Sequence, residues 1–199
     1  MNGSSVRIIP LALSVLFCTF TASASEIREF DLKTIERLGN ELTRVSRSPD
    51  RGATSPVRKR ARQTAIAALQ GKLFNIRYDY TVLDDPDGSG FLVYALGSTK
   101  NPDEILLAGH FRVTVSADGE KAERVDALSR SLFINNKKQV PAGSQVAAMF
   151  VTQLVSSKPL ETLIYTSNLA ETPILVATPP NGQVWVVGNG KISKSDSKK

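Results

Sequence analysis

Spacings of three and four residues between apolar positions predict that the folded part of the chain begins with helices. Such spacing predicts an amphipathic helix over residues 32–46. The apolar positions are Ile35, Leu38, Leu42 and Val45. Residues 46–55 are rich in Pro, Gly and short polar side chains, which is typical of a linker or an exposed loop. Ser55 followed by Pro56 suits the cap and first position of a second helix, which we expect to end near Gly71.

Period-two alternation then replaces the helical spacing and predicts antiparallel strands. The clearest strand covers residues 73–83, and an acidic turn leads from it into an apolar run at 91–96. Such a run is typical of a central strand that is covered on both faces. Residues 105–117 alternate again, with apolar side chains expected inward and polar ones outward. The outward set is His110, Arg112, Thr114 and Ser116.

Asp118 and Gly119 predict a hairpin between this strand and residues 120–129, and side-chain parity indicates its loop length. A two-residue loop would place Arg124 opposite Val113, which puts a charge on the apolar face. A three-residue loop over residues 118–120 is therefore favoured. It pairs Val113 with Val125, Phe111 with Ala127 and Arg112 with Asp126. A register shifted by two residues would keep the same faces and stays open.

The last third of the chain has weaker signals. Residues 132–143 have no regular pattern, and the ambiguous apolar run at 146–155 is interpreted as a strand from its β-branched content. A helix with proline at its first position is expected over 159–170, and residues 173–178 and 183–187 predict a hairpin. Together these elements predict an α+β fold. Its antiparallel sheet of about six strands would have helices packed on one face and be preceded by the amphipathic N-terminal helix.

Residues 1–24 have the layout of a secretory signal peptide. One positive charge precedes 13 uncharged residues, and small side chains up to Ala24 form a cleavage site. The apolar run is shorter than the roughly 20 residues of a spanning helix, so we expect no transmembrane span after cleavage. The rest would divide into an N-terminal helix and linker (25–52), a single α+β domain (53–190) and a basic flexible tail (191–199).

Cleavage would also remove Cys18, the only cysteine. The mature chain could then form no disulfide, thiolate metal site or cysteine nucleophile. Small exported domains of eukaryotes are usually cross-linked by disulfides. A thiol-free exported chain therefore favours a bacterial envelope protein, and the periplasm of a Gram-negative bacterium is the expected location.

The formal charge of +6 is unevenly distributed along the chain. Residues 44–62 alone contribute +6 and residues 191–199 contribute +3. Because the mature chain without Arg7 carries +5, its remaining body is acidic, at −4. The densest part of the first region suits an anionic partner, although a solvated helix face is the simpler interpretation. The basic residues of this densest part are Arg58, Lys59, Arg60 and Arg62. No aromatic residues alternate with them, which disfavours nucleic acid as a partner.

Few residues carry recognisable chemistry. His110 is the only histidine, which excludes a zinc site built from histidine and cysteine. No serine lies in a G-x-S-x-G motif, which disfavours a serine hydrolase. We therefore predict no catalytic residue, no metal ligand and no cofactor. The candidate binding residues are Arg58, Lys59, Arg60, Arg62, His110 and Arg112.

Four segments stand out in the second half of the chain. They are GHFRVTVSADGEKAERVD (109–126), ETLIYTSNL (161–169), PILVAT (173–178) and VWVVGNGKI (184–192). These segments resemble small uncharacterised envelope proteins of Gram-negative bacteria over about 80 residues. The resemblance implies export and implies no particular activity.

Three functions are compatible with these features. The favoured hypothesis is an exported, non-catalytic binding or inhibitory module that recognises a protein or an anionic envelope component through a sheet face or the basic residues. A second is a hydrolase that acts on cell-envelope material with paired carboxylates, which are assembled in space and leave no local motif. A third is a structural subunit of an envelope complex. The sequence does not predict the ligand or the oligomeric state.

Overall fold

A computed structural model describes residues 27–136 and 146–195. The signal peptide expected at 1–24 lies outside the described residues, as do residues 196–199 of the expected tail. Within the described residues the chain forms three α-helices and ten strands, so the prediction of an α+β fold is confirmed. None of these helices has the length and apolar character that a membrane crossing requires.

The helices are α1 (Leu32–Ser46), α2 (Pro56–Ala68) and α3 (Glu161–Ala170). The first two begin directly after a residue whose side chain caps them. The strands are β1 (Arg77–Asp84), β2 (Phe91–Ser98), β3 (Glu104–Ala108), β4 (Phe111–Val115), β5 (Ala122–Ala127), β6 (Phe133–Asn136), β7 (Met149–Thr152), β8 (Ile174–Thr178), β9 (Gln183–Gly188) and β10 (Lys191–Lys194). Asp31 accepts a hydrogen bond from the Thr34 amide, and Ser55 accepts one from the Arg58 amide. These caps explain why α1 and α2 start where the sequence predicts.

Four strands form the first sheet, in the antiparallel order β1-β2-β4-β5. β2 lies inside the sheet and is buried along nearly its whole length, as expected of a strand that is covered on both faces. The β4–β5 hairpin has the register that parity predicted. It pairs Val113 with Val125, Phe111 with Ala127 and Arg112 with Asp126. The predicted pairing is therefore confirmed, but the register shifts by one residue after Thr114, where Val115 pairs with Ala122. The hairpin thus does not close on the predicted three-residue loop over 118–120.

The prediction of one sheet of about six strands is wrong, because the remaining strands form two further sheets. β7 to β10 form a four-stranded sheet in the order β10-β9-β8-β7, in which β7 and β8 are parallel. β3 pairs with β6, where the sequence had indicated irregular structure. Gly109 adopts a φ of +120°, which interrupts the strand expected over 105–117. β3 can therefore leave the direction of β4 and pair elsewhere.

Helices lie on both faces of the first sheet, which corrects the expectation of helices on one face. Ala61, Ala65 and Leu69 from α2 and its C-cap pack on one face, in a cluster with Val93 of β2. α1 and α3 occupy the opposite face and separate this sheet from the one formed by β7 to β10. The physical reason is that β2 presents apolar side chains to both sides, so each side needs a covering layer.

Two element boundaries near the C-terminus also differ from the predictions. Lys191–Lys194 form β10 against β9, so the expectation of a flexible tail is wrong for these residues. The Glu36 carboxylate accepts hydrogen bonds from Ile192 N (2.9 Å) and from Lys191 Nζ (3.1 Å), which attaches β10 to α1. α3 begins at Glu161 rather than at Pro159.

α1 and α3 approach each other closely at Gly39. A Cβ atom at this position would lie 2.5 Å from Ile164 Cβ and 2.8 Å from the Glu161 carbonyl oxygen. Non-bonded atoms do not tolerate such distances, so a side chain here would push the two helices apart. Gly39 therefore sets the depth at which α3 lies against α1.

We expect Gly39→Ala to lower the free energy of unfolding by about 1–2 kcal/mol, because overpacking outweighs the gain of about 1 kcal/mol in helix propensity. Urea unfolding measures this change. The control is Gly88→Ala in the turn after β1, where an added Cβ would have no contact shorter than 3.8 Å. It should stay within about 0.5 kcal/mol of the wild type. Equal losses in both variants would contradict the close-approach explanation.

Candidate functional site

The predicted basic residues lie on α2, and most of them have partners within the chain. Arg58 forms an ion pair with Asp84. Its Nε donates to the Gly52 carbonyl at 2.6 Å and its Nη2 to the Val82 carbonyl at 3.0 Å. Arg58 therefore attaches α2 to the preceding loop and to β1.

The other three candidates on α2 are directed to different parts of the surface. Arg60 Nε donates to the Asp118 carbonyl at 2.8 Å, and Arg62 Nη1 donates to the Asp50 carbonyl at 3.2 Å. Lys59 is exposed and forms no ion pair with the described residues. The structure does not bring these side chains together with His110 or Arg112, which lie beyond the first sheet from α2. No common binding site is formed by the six predicted residues.

Arg112 is fully buried at the centre of an ionic network. Its guanidinium donates to Asp126 Oδ2 at 2.7 Å and to Glu161 Oε1 at 2.6 Å. The Arg28 carbonyl accepts a further hydrogen bond from it, and Tyr94 Oη donates to the same Glu161 oxygen at 2.9 Å. Burial by itself lowers the pKa of Arg112, but the surrounding groups, Glu161 first among them, outweigh burial and raise it. The guanidinium therefore stays charged.

The network also holds residues 27–30, the N-terminal strap. Arg28 pairs with Asp85 through two hydrogen bonds of 2.6 Å. The guanidinium groups of Arg28 and Arg112 both lie over the Phe30 ring, 4.9 and 4.8 Å from its centroid. Cation–π contacts of this kind strengthen when water is excluded. The strap is thus fixed to the same charge that anchors α3.

The exposure of Arg112 was predicted incorrectly, although its pairing with Asp126 was predicted correctly. Alternation identifies the face on which a strand residue lies, and the strap and α3 cover that face. The sequence also gave no sign of the partnership with Glu161, because a glutamate in the first turn of a helix is already explained by the helix dipole. With its donors engaged and no exposed surface, Arg112 joins structural elements rather than contacting a ligand.

His110 is buried too, which corrects the expectation of an exposed strand histidine. Its Nδ1 accepts a hydrogen bond from the Gly97 amide at 3.1 Å, and the Tyr165 ring of α3 contacts the imidazole edge-on. Burial lowers the pKa of His110 to about 4, against a smaller opposing effect of the Leu106 carbonyl. The ring is therefore neutral at physiological pH.

An open cleft of about 560 Å³ lies where α1, α3 and the β9–β10 hairpin meet, and we call it the polar cleft. It is lined by Asn40, Thr43, Arg44, Arg47, Ser167, Asn168, Glu171, Thr172, Pro173 and Asn189. Arg44 and Arg47 are exposed near the end of α1 and form no ion pair with the described residues. Both belong to the basic region 44–62, but the sequence did not identify them as candidates because denser charge lies further along the chain.

Hydrogen bonds between side chains hold the floor of the polar cleft. Asn168 Nδ2 donates to Asn40 Oδ1 at 3.1 Å and to Thr43 Oγ1 at 3.2 Å. Asn40 Nδ2 in turn donates to the Gly190 carbonyl at 2.9 Å. Gly190 has a φ of +72°, and a Cβ there would lie 2.3 Å from Asn40 Oδ1, so glycine is required for this approach. The floor is therefore formed before any ligand binds.

The rim of the polar cleft combines two cations with one carboxylate, that of Glu171. Glu171 and Asn189 both have a φ of 51°, Glu171 as the left-handed C-cap of α3 and Asn189 in the two-residue turn between β9 and β10. Guanidinium groups bind phosphate or carboxylate through paired hydrogen bonds, and amides and hydroxyls bind sugar hydroxyls. The arrangement suits an anionic ligand that also carries hydroxyl groups.

The described residues contain no group of three or more His, Cys, Asp or Glu side chains that could hold a metal ion. The polar cleft is lined by one carboxylate, whereas glycoside hydrolysis commonly uses two. The geometry of this cleft thus fits binding better than acid–base chemistry. Comparisons with protein-family models, curated proteins and solved structures found no match for the chain.

We expect Arg112→Met to lower the free energy of unfolding by about 3–5 kcal/mol, because it leaves the buried Glu161 carboxylate without a cation and Asp126 with only the partly exposed Arg124. Arg124→Met is the matched control. Arg124 pairs with the same Asp126 at 2.6 Å, but its side chain is 43% exposed, so the expected loss is below about 1 kcal/mol. Urea unfolding of both variants checks this difference. Similar losses would contradict the central role of the buried charge.

The buried, neutral His110 makes stability depend on pH. Its pKa in the folded chain, about 4, lies below the usual 6.5, so the unfolded chain is protonated first as the pH falls. His110 should therefore lower the free energy of unfolding by up to about 3 kcal/mol as the pH falls from about 6.5 to about 4. Above about pH 6.5 it should have no such effect. His110→Asn keeps an acceptor for the Gly97 amide and should remove this part of the acid dependence in urea unfolding. An unchanged slope in the variant would contradict the assignment.

Proposed function

We propose that this protein is an exported, non-catalytic binding module that holds an anionic, hydroxyl-bearing component of the cell envelope in the polar cleft. The observation that carries the proposal is the pair of exposed arginines, Arg44 and Arg47, beside the preformed floor of Asn40, Thr43 and Asn168. Export is supported by the signal-peptide layout of residues 1–24 and by the resemblance to envelope proteins.

The two arginines are suited to this role because the fold does not use them elsewhere. Arg44 lies in the last turn of α1 and Arg47 is the C-cap residue three positions further on, so both side chains project from neighbouring positions at the end of the helix. Neither forms an ion pair with a described acidic residue, so an anion can bind without displacing an internal partner. An incoming phosphate or carboxylate therefore gains charge-assisted hydrogen bonds at little structural cost.

The basic residues of α2 support the proposal less. An anion that binds Arg58 would compete with Asp84 and with two backbone carbonyls. Arg60 and Arg62 are held by carbonyl oxygens in a similar way. Lys59 is exposed and can add long-range attraction, but it lines no cleft with Arg44 and Arg47. We therefore place the binding site at the polar cleft.

Titration of the purified mature chain with small sugars tests the proposal by NMR. We expect glucose 1-phosphate and glucuronate to shift the resonances of Asn40, Asn168 and Asn189, and neutral glucose to bind at least about tenfold more weakly, a difference of about 1.4 kcal/mol. Because the arginines are exposed, the affinity should also fall as salt increases. The double variant Arg44→Gln/Arg47→Gln should lose at least about tenfold in affinity for the charged sugars.

Arg37→Gln is the control for the arginine variant. Arg37 lies on the same helix, is similarly exposed and pairs with Glu41 outside the cleft. Its substitution should leave binding within about twofold of the wild type. An equal loss of affinity in Arg37→Gln would show that the net charge of the protein, rather than the two arginines of the cleft, accounts for binding. Equal affinity for glucose and glucose 1-phosphate, or no shift with either charged sugar, would overturn the proposal.

A further inference from the structure

A second cleft lies on a different face of α3, and we call it the histidine cleft. It has a volume of about 280 Å³ and lies between α3, β3 and the connection from β2 to β3. Its lining includes Pro102, Ile105, Leu106, His110, Tyr165 and Leu169. This volume is close to the lower end of small-molecule pockets, which begins at roughly 300 Å³.

The walls of the histidine cleft differ from those of the polar cleft in charge. Its aliphatic and aromatic side chains come from β3 and α3, and no cationic residue lines it among the described residues. Its one charged lining residue is Glu104, which accepts a hydrogen bond from Asn101 Nδ2 at 3.2 Å. An anion would therefore meet a like charge here and find no cation to pair with.

His110 contributes a hydrogen-bond donor that the fold satisfies only in part, since the Leu106 carbonyl interacts with the ring without forming a hydrogen bond of normal geometry. Because the Gly97 amide donates to Nδ1, that nitrogen carries a lone pair and the neutral ring has its hydrogen on Nε2. Nε2 is buried and makes no hydrogen bond of normal geometry with the described residues. Buried donors are almost always paired, and an unpaired one carries a penalty that an acceptor would relieve.

We propose that the histidine cleft binds a small uncharged molecule with an apolar body and one carbonyl or hydroxyl oxygen, which accepts the hydrogen bond from His110 Nε2. The apolar body contacts Ile105, Leu106 and Leu169. Nε2 is buried although His110 lines the cleft, so neighbouring side chains must move to admit the acceptor. One such neighbour is Tyr165, whose ring contacts the imidazole edge-on at a centroid distance of 6.2 Å. This site is independent of the polar cleft and of its proposed ligand.

Isobutyramide is a suitable probe because it combines a branched apolar body with one amide carbonyl. His110 is the only histidine, so its ring resonances report on the cleft without overlap. We expect isobutyramide to shift them with a Kd of about 1–10 mM, the range for a ligand of this size. Isobutyrate has nearly the same shape with a negative charge, and it should bind at least about tenfold more weakly.

Substitution at the mouth of the cleft distinguishes specific binding from surface association. Leu169 is 45% exposed, so Leu169→Asp should fold normally and weaken isobutyramide binding by at least about tenfold. Leu154→Asp is the matched control, since Leu154 is also 45% exposed and lies outside the cleft. His110→Asn, with its fold checked by circular dichroism, should weaken binding at least about fivefold when followed through the Tyr165 and Leu169 resonances.

Three results would overturn the proposal. One is the absence of any His110 shift at about 50 mM isobutyramide, well above the expected Kd. Another is equal binding of isobutyrate, which would remove the requirement for an uncharged ligand. The third is an equal loss of affinity in Leu169→Asp and Leu154→Asp, which would show that the amide associates with exposed apolar side chains in general.

Discussion

The guanidinium of Arg112 joins parts of the fold that lie far apart in the sequence. It binds Asp126 on β5, Glu161 on α3 and the Arg28 carbonyl of the N-terminal strap. A charge removed from water is tolerated only when its partners are all in place. The positions of the sheet, the helix and the strap therefore depend on one another. The shape of both clefts depends on the network of Arg112, because each cleft is lined in part by α3.

α3 separates two sites of opposite chemistry. Ser167, Asn168 and Glu171 face the polar cleft, where the arginines of α1 supply positive charge. Tyr165 and Leu169 face the histidine cleft, which has apolar walls and a neutral imidazole. Because α3 is held by Glu161 at its start and lies close to Gly39 of α1, movement at either contact would alter both clefts. A single rigid helix thus fixes the geometry of two ligand environments.

Local signals in the sequence predicted much of the fold. Helical spacing and the caps Asp31 and Ser55 located α1 and α2, and side-chain parity predicted the β4–β5 register. Parity shows which residues share a face, but not whether that face is covered, so the burial of His110 and Arg112 was missed. The division into three sheets depends on strand partners distant in sequence, such as β3 and β6, and short-range periodicity contains no information about them.

The same limit explains why the densest run of positive charge did not indicate the candidate site. A basic side chain is available to a ligand only if the fold leaves it without an internal acceptor. Asp84 and several carbonyls are placed by tertiary structure beside the arginines of α2, and they satisfy those donors. Arg44 and Arg47 have no such neighbours among the described residues, although the sequence around them is less basic. The availability of a charge, rather than its local density, therefore directs the proposed function to the polar cleft.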